Sequence, residues 1–102
     1  MPYTNQQIYD ELQNIGSHVN RGFGQINKLL LALNEEPSER VSHAFFKGQL
    51  SKVAPSIHED LISALIMLQL VEVRKDYVLI LPSLRSYVQD MCAPHEWPVM
   101  RC

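Results

Sequence analysis

The chain has 102 residues, 46% of them hydrophobic and 20% charged, and a net charge of −2. That length accommodates one small domain with a single core, and the composition excludes wholesale disorder. A net negative charge disfavours a strongly nucleic-acid-binding surface, and no apolar run approaches the roughly 18 residues of a membrane span. The opening residues MPYTNQQ lack the basic and apolar regions of a secretory signal, so the expected location is the cytoplasm. Charge is unevenly spread: residues 1–36 carry −2, residues 37–53 carry +2 and residues 54–102 carry −2.

Thr4 and Gln7 have capping-box spacing and predict a helix starting near Asn5. Ile8, Leu12, Ile15, Val19, Ile26, Leu29 and Leu33 then follow a heptad seam in which only Gly22 breaks the apolar series. An isolated stripe of this kind needs a cover. The expected cover is the same helix of a second copy, in a coiled-coil-like homodimer; the alternative is the chain's own body. Gly16, Gly22 and Gly24 weigh against one unbroken helix, since each interior glycine costs roughly 0.5–1 kcal/mol relative to alanine. Residues 21–24 therefore read either as a kink or as a turn between two helices. Residues 1–36 form an N-terminal, long and kinked helical segment on this reading.

Pro37 disfavours helix at Glu36, and Ser38 is placed to cap a helix running through Arg40, Val41, Ala44, Phe45 and Phe46. Lys47-Gly48-Gln49 reads as an interruption, followed by a short helix from Leu50 to Ala54 that Pro55 ends. Ser56 and Glu59 form a second capping box, ahead of Ile57, Leu61, Ala64, Leu65 and Leu68 at helical spacing. Two β-type runs, Val71-Glu72-Val73 and Val78-Leu79-Ile80-Leu81, flank the polar tip Arg74-Lys75-Asp76-Tyr77. Pro82-Ser83 opens a last helix holding Leu84, Tyr87, Val88 and Met91. The tail, residues 92–102, has two prolines and no periodicity.

From about Phe46 to Leu81 the order of short helix, tight turn, longer helix and two-stranded wing resembles the winged helix-turn-helix superfamily. The match is one of pattern, without a signature motif, and it departs from the family at three places, one of them a short wing tip. Pro55-Ser56 stands where the turn often has Gly, and Gln69-Leu70 lacks the usual Gly before the wing. The resemblance implies a mainly α domain with a small β-hairpin over residues 37–91. Residues 57–69 would take the recognition-helix position and residues 74–77 the wing.

Two functional readings follow. The first is a small dimeric DNA-binding protein, a transcriptional regulator. Arg40, Lys47, Lys52, Arg74 and Lys75 would grip phosphates of double-stranded DNA, while His58, Ser63 and Gln69 would approach base edges. Glu59 and Asp60, in the first turn of that helix, put the wrong charge towards DNA. The second is a protein-protein interaction module on the same scaffold, with Ile62, Ile66 and Met67 as an apolar contact surface.

Enzymatic chemistry is not expected. Ser42-His43 and His58-Glu59-Asp60 supply suitable residue types, but neighbouring helical residues point in different directions. Neither phosphate-cradling glycine motif is present. Cys92, His95 and Cys102 match no established zinc spacing, so they read as reduced thiols and a histidine in a tail, with no metal and no cofactor.

Overall fold

The structure, a computed structural model, describes residues 3–91. Five α-helices and three short strands follow one another: α1 (Asn5–Gly16), α2 (Gly22–Asn34), β1 (Arg40–Val41), α3 (His43–Leu50), α4 (His58–Met67), β2 (Val71–Val73), β3 (Val78–Ile80) and α5 (Pro82–Met91). The strands form one antiparallel sheet in the order β1-β3-β2. The domain is mainly helical with a small sheet, as the sequence predicts, and no described helix is long and apolar enough to cross a membrane.

The capping box at Thr4 is formed. Its hydroxyl accepts from the Gln7 N–H at 3.1 Å, and the Gln7 side chain accepts from the Thr4 N–H at 2.8 Å. The long N-terminal helix is not. The chain breaks after Gly16 and resumes at Gly22, with Arg21 in the left-handed region at φ 62°. The turn depends on backbone contact between two glycines: a Cβ on Gly16 would lie 2.5 Å from the Phe23 nitrogen, and one on Gly22 would strike the Gly16 carbonyl.

This break folds the seam back on itself. Ile8, Leu12 and Ile15 of α1 and Ile26, Leu29 and Leu33 of α2 are all buried in the chain's own core, while Val19, in the turn, is half-buried against it. The seam residues are therefore core residues, and the cover is the chain's own body. The edge of one ring meets the face of the other between Tyr9 and Phe23, with centroids 5.2 Å apart. One buried cluster runs from Ile8 to Val88, so residue 36 marks no packing boundary.

Four local expectations are corrected beyond Pro37. Arg40 and Val41 are a strand, not a helix, and pair with Leu79 and Val78 of β3. Ser42, not Ser38, caps α3 by accepting from the Phe45 N–H at 3.0 Å. The helix then runs through Gly48 to Leu50, and residues 51–54 form a turn. Ser56 caps nothing. Pro55 starts a single 3-10 turn, Pro55–Ile57, which places Ile57 at the head of α4 with no side-chain cap. Glu59 and Asp60 in the first turn of α4 complement its dipole instead.

The hairpin matches expectation. Val71, Glu72 and Val73 face Ile80, Leu79 and Val78, and the Arg74 N–H donates to the Tyr77 carbonyl at 2.8 Å across the tip. Val71, Val78 and Ile80 point into the core. Between α4 and β2 the missing glycine is replaced by Gln69 at φ 62°. The Leu70 N–H reaches the Leu65 carbonyl and the Gln69 N–H reaches the Ile66 carbonyl, which is a Schellman ending.

Candidate interaction surfaces

The residue types that suggested catalysis are engaged in holding the fold. The Ser42 hydroxyl caps α3, and His43 donates from Nε2 to the Arg74 carbonyl at 2.8 Å, tying α3 to the hairpin tip. His58 donates from Nε2 to the Val53 carbonyl at 2.7 Å. Both acceptors are carbonyls, so Nε2 carries the proton in each ring. Among the described residues no group of three or more His, Cys, Asp and Glu side chains is placed to hold a metal. Cys92, His95 and Cys102 lie outside the described residues.

The five expected phosphate-gripping cations divide into two groups. Arg40 stacks over the Tyr77 ring, 4.7 Å from its centroid, and Arg74 forms an ion pair with Glu72 at 2.7 Å. That hydrogen bond and charge hold the Arg74 guanidinium above its ordinary pKa. Lys75 is exposed at the tip. Lys47 lies one turn after His43 and so shares its face, beside the hairpin. Lys52 belongs elsewhere: it lines a groove of about 660 Å³ together with Arg21 of the turn and Lys28 of α2, which the sequence did not single out.

The three expected base-edge residues are not brought together. His58 is turned back onto Val53. Ser63 shares a hollow with Glu11, Asn14 and His18 of the α1 region. Gln69 lies past the other end of α4, in a hollow with Val71, Glu72 and Pro82. The helix itself carries neither Lys nor Arg.

What α4 does present is apolar and acidic. Leu61, Ala64 and Leu65 face the core, and Ile62 is half-buried against it, so Ile62 is in part a core side chain. Ile66 is 45% and Met67 51% exposed. Val73, on β2, is 45% exposed. Glu59 and Asp60 lie two turns before Ile66 and Met67 on the same sides of α4, and neither has an ion-pair partner among the described residues. Met67 also lies beside α1 in a hollow lined by Tyr3, Asp10 and Glu11. Exposed apolar side chains beside carboxylates on one helix are what a protein contact presents.

Comparison with models of known protein families, with curated proteins and with solved structures finds no match to this chain. The chain is a small, mainly helical domain with a three-stranded antiparallel sheet.

Proposed function

We propose that this chain is a non-enzymatic interaction module on a winged helix-turn-helix scaffold, and that its contact surface is the solvent face of α4. Support for the scaffold comes from the order of elements from α2 to β3, with β1 added to the hairpin beside β3. The observation that carries the function is the pairing of exposed Ile66 and Met67 with Glu59 and Asp60 on a helix lacking Lys and Arg. Duplex DNA carries one negative charge per roughly 1.7 Å, so such a face repels it. A protein surface with an apolar centre and a basic rim fits it.

Ile66→Asp and Met67→Asp test this, because both side chains are exposed and the fold should survive. Proteins retained by the immobilised wild type should be lost by both variants while circular dichroism and Tm stay near wild type. Retention of the same proteins by folded variants would remove α4 as the contact.

A second reading has its own observation. Arg40, Lys47, Arg74 and Lys75 gather around the hairpin, which supports a DNA-binding regulator that grips phosphates from the wing. It requires binding to a labelled random-sequence duplex that weakens steeply with salt, and a slope reduced by about one per cation removed in Arg74→Ala and Lys75→Ala. Steep binding by the wild type, lost in those variants, would displace the α4 reading.

A further inference from the structure

We propose that the acidic, apolar face of α4 docks head to tail into the groove between α2 and α3 of a second copy of this chain. This rests on the reading of α4 as a contact surface and names its partner.

The groove has the opposite character to the helix face. Gly24 and half-buried Ala32 of α2 form an apolar floor over the core residue Leu29, and Arg21, Lys28 and Lys52 surround it. No carboxylate lines it. None of the three cationic side chains has an ion-pair or hydrogen-bond partner among the described residues. The chain has eleven acidic residues against nine basic ones, so three unpaired cations in one groove are a segregation of charge, not an excess. Gln25, also in the groove, is already engaged: its side-chain oxygen accepts from the Ala54 N–H at 3.0 Å.

The surface that fits is on the same molecule. Met67 protrudes among Asp60 of α4 and Asp10 and Glu11 of α1, and Ile66 protrudes beside Glu72, with Glu59 two turns earlier on its side of α4. Neither α1 nor α4 contains Lys or Arg. Docking would lay the two apolar side chains against Gly24 and Ala32 and bring carboxylates to the three cations. A phosphate backbone could satisfy the cations but has no use for the apolar floor, which favours a protein occupant.

The two surfaces share no residue, so the contact is heterologous. Each copy that docks keeps a free groove or a free α4 face, and assembly proceeds to open chains or a closed ring. Exposed charges at the rim are screened over about 10 Å at 0.1 M salt, so association should weaken as salt rises.

The test is sedimentation velocity of the full chain over a hundredfold concentration range, at low and high salt. The expected result is reversible, salt-sensitive self-association. Lys28→Glu with Lys52→Glu should weaken it by about tenfold or more, and so should Glu59→Lys with Asp60→Lys. Mixing the two reversed proteins should restore it, because each then offers the charge the other lacks. Lysine in the first turn of α4 opposes the helix dipole, so Glu59→Gln with Asp60→Asn serves as a milder pair that should also weaken association. A wild type that stays monomeric at low salt overturns the proposal, as does association indifferent to both reversals. Duplex DNA bound by the wild type and lost in Lys28→Glu with Lys52→Glu would assign the groove to nucleic acid instead. A monomeric wild type whose partner capture still fails in Ile66→Asp would sink this inference alone; capture unchanged in Ile66→Asp would sink the α4 reading beneath it.

Discussion

At Gln69 a side chain holds a backbone conformation that glycine adopts without strain. Its φ of 62° lets the Leu70 N–H close the end of α4 on the Leu65 carbonyl. A left-handed residue other than glycine costs roughly 1–2 kcal/mol, and glycine returns part of that gain through unfolded-state entropy. Gln69→Gly should therefore raise stability by about 0.5–1 kcal/mol in urea unfolding; a loss would mean the Gln69 side chain makes a contact of its own. Tyr87 poses a different problem. It is wholly buried, its hydroxyl has no hydrogen-bond partner among the described residues, and burial, helped by the nearby Tyr9, pushes its pKa up from 10.0. The folded state thus keeps a proton that the unfolded chain releases. Its stabilising contribution is complete below about pH 10 and is lost as pH rises beyond, at up to about 1.4 kcal/mol per unit. Tyr87→Phe should leave stability near pH 7 almost unchanged and make the alkaline fall of Tm shallower. An equally steep fall would place the titrating group elsewhere. Asn27 is the parallel case in α2, buried with neither its amide nitrogen nor its oxygen partnered among the described residues.

Between elements, the fold relies on a few polar ties that periodicity could not announce. Arg85 of α5 donates to the Asn34 carbonyl at 2.7 Å, the Glu36 carbonyl at 3.0 Å and the Ser38 carbonyl at 3.2 Å, fixing the loop between α2 and β1. Charged hydrogen bonds contribute roughly 1.5–3 kcal/mol, and this set holds several otherwise unsatisfied carbonyls. Arg85→Met should cost about 2 kcal/mol by urea denaturation and increase amide exchange at residues 35–41; a change below about 0.5 kcal/mol would show that water serves those carbonyls equally well. The sequence did disclose α1 through Thr4 and Gln7, α4 through its apolar spacing, the hairpin through its two Val-rich runs and α5 through Pro82. It did not disclose β1. Two residues, Arg40 and Val41, carry no period of their own and become a strand only because β3 is there to pair with them. Ser56 misled for a similar reason: its spacing to Glu59 is right for a cap, but Pro55 draws it into a 3-10 turn. Of the interaction surfaces, exposed Ile66 and Met67 were legible from helical spacing. The grouping of Arg21 and Lys28 with Lys52 was not, since it depends on how α2 meets α3.

For the whole molecule, the decisive event is the reversal at residues 17–21. A heptad seam is equally compatible with two long helices from two chains and with two short helices from one, because hydrophobic burial has no direction. The choice falls to local geometry. Gly16 and Gly22 approach too closely to carry side chains, and Arg21 takes the left-handed turn that brings α2 back along α1. Once that happens, Leu12 and Leu33 are 0% exposed within one chain and nothing is left on the stripe for a partner to cover. Assembly, if it follows charge, must then use the faces outside the stripe. The two alternatives separate on Leu12→Ala. A side chain in the chain's own core should cost about 3 kcal/mol when truncated, within the 2–5 kcal/mol typical of leucine cores. At concentrations where light scattering reports a monomer, the unfolding midpoint of wild type and variant alike should not move on further dilution. A stripe buried between chains would instead give a wild-type midpoint that falls with each dilution, since dissociation would expose Leu12 before unfolding.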